Sequence, residues 1–245
     1  KHRKTSQRVA VKTVFLKNED DNNEIRILKN LNYPSIIKLI GYSLTDFNGE
    51  ERLSIFMKLC KKNSLGRCLM YNRQNRKKLL TNTELQIILI GIAAGMNYLN
   101  SKSIMHRDLK PDNILLDEFN RPIITDFGLA KHYLGGLDQT PNIGTPTHEA
   151  PEVIEAKNYN CKVDVYSFGV LMYEVVSGLE PYNKVPSFKL LNDVAKGFRP
   201  KLDVPMKESF RNLIRSCLEQ NPEKRPEFND IFKLIAFDKN FYLDD

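Results

Sequence analysis

One stretch of this chain gathers side chains that could handle a phosphoryl group: His106-Arg107-Asp108-Leu109-Lys110-Pro111-Asp112-Asn113. Asp108 can orient or deprotonate a hydroxyl. Lys110 adds a mobile positive charge able to meet a phosphoryl group in transfer. Just downstream, residues 114–116 and 122–125 flank the polar turn Asp117-Glu118-Phe119-Asn120-Arg121, which is the pattern of an antiparallel hairpin. A hairpin brings its open ends together, so Asn113 at the entry and Asp126 at the exit are expected side by side. A carboxylate beside an amide oxygen is hard-oxygen ligation, suited to Mg²⁺ and unsuited to zinc. Any one of these residues alone reads as a solvated turn residue.

The elements that must carry this loop are legible on both sides of it. Residues 8–15 are β-branched and apolar enough for a strand. Acids at 19–24 then open a short helix with Ile25, Leu28 and Leu31 as its buried stripe, and Pro34 is expected to stop it. Residues 36–42 and 53–59 read as two further strands across a polar turn. Beyond Lys61-Lys62-Asn63 the pattern turns helical. Thr83-Glu84-Leu85-Gln86 is expected as a capping box, opening a helix apolar at 85, 88, 89, 92, 93, 96 and 99. A second buried helix carries Phe168, Leu171, Met172, Val175 and Val176, and ends at Gly178 and Pro181. Strands first and helices afterwards indicate an α+β chain in two lobes.

Composition removes whole classes of function. The 245 residues are 41% hydrophobic and 27% charged, with 12 Gly and 12 Pro, which excludes disordered, collagenous and coiled-coil chains. A chain of this length buries roughly 70–75% of its unfolded surface and needs no disulfide or metal staple. Cys60, Cys68, Cys161 and Cys217 form no Cys-x-x-Cys pair, which excludes a zinc knuckle and favours a reducing, cytoplasmic setting. The longest apolar run, residues 87–96, is about half of the ~20 residues that span a bilayer. No membrane span is therefore expected, and Gly91-x-x-x-Gly95 within the run reads as close packing in a core. The net charge of +7 includes clusters at residues 1–4 and 73–78, but no aromatics interleave them and Trp is absent. They read as solvated surface and not as a nucleic-acid interface.

Taken together, the motifs resemble the eukaryotic protein kinase family. The matching residues are Val9-Ala10-Val11-Lys12 with Glu24, the His-Arg-Asp loop at 106–113, Asp126-Phe127-Gly128, Ala150-Pro151-Glu152, Asp164 in Asp-Val-Tyr-Ser-Phe-Gly, and Arg225 in Glu-Lys-Arg-Pro. The runs at 31–42 and 164–169 look most like the tyrosine-kinase-like group of serine/threonine kinases. The resemblance implies one kinase domain over residues 1–245: a small strand-rich N-lobe over about 1–59, a hinge at 58–63, and a larger helical C-lobe from 64. It implies ATP and Mg²⁺ as cofactors and protein substrates as partners. Lys12 would hold the α- and β-phosphates and pair with Glu24, Asp108 would orient the acceptor hydroxyl, and Lys110 would neutralise the moving phosphoryl group. Asn113 and Asp126 would hold Mg²⁺. Ala10 and Leu115 would sandwich the adenine, with Met57 as gatekeeper and the backbone of Cys60 at its edge. Glu152 would pair with Arg225, and Asp164 would brace the catalytic loop. Lys110-Pro111 and Thr145 favour Ser/Thr over Tyr as acceptor.

Four departures accompany the resemblance. No G-x-G-x-x-G loop occurs in the 245 residues, and residues 1–8 match the segment that follows such a loop, so truncation is expected. The Lys12–Glu24 connection is short, which predicts a helix lacking its first turn. Lys58 stands where a hinge Glu is common, and His148-Glu149 replaces an aromatic-Met pair. These leave a pseudokinase, a non-catalytic scaffold of the same fold, as the rival reading. By the same resemblance Arg107 would receive a phosphate on the segment 126–152, placed there by an upstream kinase or by the chain itself. Among Tyr133, Thr140, Thr145 and Thr147, Thr140 is favoured. The alternative is that Arg107 merely braces the loop.

Overall fold

Alternating exposure along Val9–Phe15 makes it strand β1, and Arg52–Lys58 pairs with it antiparallel as β3, with Ala10 opposite Met57 and Lys12 opposite Ile55. Leu39–Ser43, β2, pairs with the other edge of β3 and gives the order β1-β3-β2. A six-residue helix α1, Asn23–Leu28, buries Glu24, Ile25, Ile27 and Leu28. This is the N-lobe of a computed structural model that describes residues 8–15, 23–133, 144–183 and 185–243.

Two expectations are corrected here. The strand expected from Ile36 begins only at Leu39, because the C-lobe takes the residues before it: Ile37 N–H donates to Ile124 O at 2.9 Å and Ile124 N–H to Ser35 O at 2.8 Å. Helix α1 closes at Leu28, through turns at Asn30 and Leu31, well ahead of Pro34. The acids at 19–21 lie outside the described residues.

After the hinge, Ser64 caps α2, Leu65–Asn75, by accepting from Arg67 N–H. The capping box of α3, Asn82–Ser101, lies two residues ahead of its expected place. Thr81 accepts from Glu84 N–H and the Glu84 carboxylate accepts from Thr81 N–H, while Gln86 turns inward to Ile235 O. Both Leu80 and Leu85, at staple positions around that cap, are buried. Of the hairpin strands β5, Ile114–Leu116, and β6, Pro122–Ile124, helix α3 lies on β6 and α2 on β5. A Cβ on Gly91 would fall 2.5 Å from Pro122 and one on Gly95 2.7 Å from Ile124, so those glycines do mark close packing. Short strands β4, Ile104–Met105, and β7, Lys131–His132, pair across the same region. Helices α4, Pro151–Ile154, α5, Lys162–Ser177, α6, Ser187–Ala195, α7, Glu208–Cys217, and α8, Phe228–Phe237, complete the C-lobe. Helix α5 is buried almost all round and ends at Gly178 in the left-handed region (φ 71°). Among the described residues no helix is long and apolar enough to cross a membrane.

Candidate active site

The hairpin is as expected: Ile114 pairs with Ile124, and Thr125 N–H donates to Asn113 O at 3.0 Å, which brings Asn113 and Asp126 to adjacent places at its open end. Ahead of it, a 3-10 turn at Pro111–Asn113 folds the 106–113 loop back on itself. The amide of Asn113 donates to both Asp108 O and Asp108 Oδ2 at 2.8 Å. Lys110 Nζ contacts Asp108 Oδ2 at 2.8 Å and donates to Thr145 Oγ1 at 2.6 Å, and that hydroxyl donates to Asp108 Oδ1 at 2.8 Å. Thr145 thus bridges Asp108 and Lys110. It reaches them because Gly144, at φ 107°, lies so close to the loop that a Cβ would be 2.7 Å from Arg107 O.

The loop is braced from beneath. Asp164, fully buried on α5, accepts from His106 N–H at 2.8 Å and from Arg107 N–H at 2.9 Å. Burial pushes its carboxyl up, against the pull of His106, those two N–H groups and Arg107. His106 is a core residue: its Nε2 lies 3.0 Å from Thr125 O and its ring meets Phe127 edge-on. Glu152 and Arg225 make the expected buried pair, forked at 2.6 and 2.8 Å.

Across the cleft, Lys12 Nζ touches Glu24 Oε2 at 2.8 Å and Asp126 Oδ1 at 2.7 Å. Burial pulls the Lys12 ammonium down, but Glu24 and Asp126 outweigh it and hold it above its ordinary value. Burial likewise raises the Asp126 carboxyl, but Lys12, with His106 and the Gly128 N–H, outweighs it and holds the carboxyl below its ordinary value. Asp126 sits in the left-handed region, φ 64°, which an Asp tolerates better than most residues. One residue with no motif to mark it completes this corner: the Asn23 amide donates to Ala130 O at 2.6 Å and ties α1 to the segment after Asp126. Ala10 lies opposite buried Met57 on β3, Cys60 is half-buried in the hinge, and half-buried Leu115 bridges to Ser64 at the hinge's far end.

The regulatory expectations fare differently. The Arg107 guanidinium donates to two neutral groups, Leu129 O at 2.6 Å and Tyr159 Oη at 3.1 Å, and so ties the loop to the turn beyond Asp126. Three of the four candidate hydroxyls are engaged, Tyr133 with Asn100, Thr145 with Asp108, and Thr147 with His148. Thr140 lies outside the described residues.

A strand-rich small lobe, a helical large lobe and this cluster in the cleft between them define a phosphotransferase-type architecture. The sequence matches the protein kinase domain over residues 1–235, and the chain belongs to that family. It is 35% identical over 237 residues to a probable serine/threonine-protein kinase of Dictyostelium discoideum, an alignment covering 93% of this chain and 25% of the relative. It is 34% identical over 241 residues to drkC, another probable serine/threonine-protein kinase of that organism, covering 93% of this chain and 31% of drkC. A putative serine/threonine-protein kinase/receptor of Acanthamoeba polyphaga mimivirus is 35% identical over 236 residues, covering 93% of this chain and 14% of the relative. The chain therefore spans a third or less of the length of these curated relatives.

Proposed function

We propose that this chain transfers the γ-phosphate of ATP to Ser or Thr hydroxyls of protein substrates. The observation that carries the proposal is Thr145, a hydroxyl bonded at once to Asp108 and Lys110. An acceptor hydroxyl entering beside it would meet the same carboxylate, which orients it and takes its proton late, and the same ammonium, which offsets charge on the phosphoryl group. Lys12, steadied by Glu24, would hold the nucleotide phosphates, with Ala10, Leu115, Met57 and the Cys60 backbone around the base. Asn113 and Asp126 suit Mg²⁺ because both offer hard oxygens, and the Asn113 amide nitrogen is spent on Asp108, leaving its oxygen to ligate. Once bound, that ion would neutralise phosphate charge. Protein substrates, and phosphorylation at Thr140 by another kinase or by the chain itself, belong to this same reading.

The test is incubation with Mg-ATP and a mixed protein acceptor, followed by phosphoamino-acid analysis. Phosphoserine and phosphothreonine that vanish when Mg²⁺ is chelated are expected. A folded chain that binds protein partners and transfers no phosphate would establish the scaffold reading in its place.

A further inference from the structure

Glu149 stands where the family resemblance leads one to expect a methionine, and no role above uses it. The residue is 7% exposed. A carboxylate at that depth is kept only where an opposite charge or strong donors meet it. It shares a cavity of about 10 Å³ with Arg107, Tyr159 and Ser167, and the rest of the wall is apolar. That is room for about one water and too little for a phosphoryl group. Arg107 is the cation in the wall.

The other acids of this region are committed elsewhere. Asp164 gives one oxygen to His106 N–H and the other to Arg107 N–H, although its carboxyl also feels the Arg107 charge. Glu152 is forked to Arg225. His148, the chain neighbour of Glu149, turns to a different cavity, where its Nε2 lies 3.3 Å from Glu174, and Glu174 accepts from Arg73 at 2.6 Å. Tyr159 points the same way by its hydrogen bonding. Its hydroxyl accepts from Arg107 at 3.1 Å and so keeps a proton to donate, and an ionised Glu149 is an acceptor-only group in the shared wall. The Ser167 hydroxyl is directed away, to His148 O and Val163 O.

Arg107 needs fixing for a reason of its own. Its backbone stands at φ 64°, a left-handed conformation that a non-glycine residue keeps only when its surroundings hold it, and Asp108 is the next residue. On one side the guanidinium reaches Leu129 O in the turn beyond Asp126. Glu149 offers a firmer hold on the other side, because Ser167 grips the backbone just before it and Glu152 is locked to Arg225 just after. We propose that Glu149 is a positioning residue: its carboxylate is the counter-charge of Arg107 and does what the family resemblance assigns to a phosphate on the segment 126–152, fixing the loop that carries Asp108. Transfer then needs no phosphate on that segment, and one placed at Thr140 adds to a loop that is already held. The effect on transfer rests on the kinase reading, since Asp108 must orient the acceptor for its placement to matter; the pairing itself does not.

The full chain, treated with phosphatase and shown by mass mapping to carry no phosphate between residues 126 and 152, is compared with Arg107→Gln, Glu149→Gln and the double variant, with Glu149→Met as a second replacement. Urea titration should give a coupling between the two positions of about tenfold in the unfolding equilibrium constant. In single-turnover transfer each single variant should lose about tenfold with Mg-ATP affinity kept within about twofold, and the double variant should lose no more than either. Wild type should transfer at rates within about threefold of each other before and after phosphatase treatment, where a phosphate switch would change them far more. Coupling under about twofold in unfolding, additive losses in transfer, or a wild type slowed about tenfold by dephosphorylation would overturn the proposal. No transfer by wild type in either state would sink the kinase reading, and the unfolding cycle would then decide this proposal alone. If the variants do not fold, the wild-type comparison decides it.

Discussion

Asp108 and Lys12 face one cleft but are held by different means. Both oxygens of Asp108 are bonded, to Asn113, Lys110 and Thr145, and the loop that carries it hangs from a buried carboxylate on α5. Lys12 rides on a three-stranded sheet with 35% of its side chain exposed. One of its partners is on a six-residue helix and the other, Asp126, belongs to the opposite lobe and is 47% exposed. Buried, mutually satisfied polar networks fix a geometry at high cost of disruption, while exposed ion pairs contribute little and exchange partners readily. The lower half of the site is thus set by the fold, and on the proposed function the upper half would be free to re-pair with nucleotide phosphates.

Breaking the buried supports of the lower half should have the largest effect. Arg225→Ala strands the Glu152 carboxylate in the core and should cost about 3–5 kcal/mol of unfolding free energy in a urea titration. A loss under about 1 kcal/mol would mean that the C-lobe is not held this way. Gly144→Ala puts a Cβ against Arg107 O at a positive φ and displaces Thr145, so turnover should fall by about tenfold or more and Tm should fall as well. Thr81→Ala removes the α3 cap and should cost about 1 kcal/mol, locating the helix start by experiment. In the upper half, Lys12→Met should change stability by less than about 1 kcal/mol, since the pair is partly exposed.

Acid sharpens the same contrast. The Asp126 carboxyl is lowered in the folded chain, so its contribution is complete above the ordinary carboxylate value of about 4 and is lost as pH falls through the lower, folded value. Glu174 and Asp117 are lowered too, so a pH titration should show stability level down to about pH 4 and falling below it. Asp164 runs the other way: its raised carboxyl is a burdened charge at neutral pH, relieved as it protonates.

What the sequence made legible followed from local pattern. The hairpin that brings Asn113 to Asp126 was readable because two apolar runs flank a polar turn. The Lys12–Glu24 and Glu152–Arg225 pairs were reached only through the family resemblance, since nothing local joins residues so far apart. Errors arose where tertiary contacts chose between equal local signals. Both Thr81-x-x-Glu84 and Thr83-x-x-Gln86 fit a capping box, and buried Leu80 and the inward bond of Gln86 select the first. Ile36 and Ile37 have strand-like side chains, but β6 of the other lobe claims their backbone. The Asn23 tie to Ala130 and the His148–Glu174–Arg73 chain join three separate elements and leave no periodicity to read.

The most direct test of a preset lower half and an exchangeable upper half is nucleotide affinity and single-turnover phosphate transfer, measured side by side in wild type, Asp108→Asn and Lys12→Met. Asp108→Asn should keep Mg-ATP affinity within about threefold and lose transfer by roughly 10²–10⁴-fold, because on the proposed function Asp108 acts on the acceptor and not on the nucleotide. Lys12→Met should lose affinity and transfer together. Undiminished transfer in Asp108→Asn, or the same joint loss in both variants, would contradict the account.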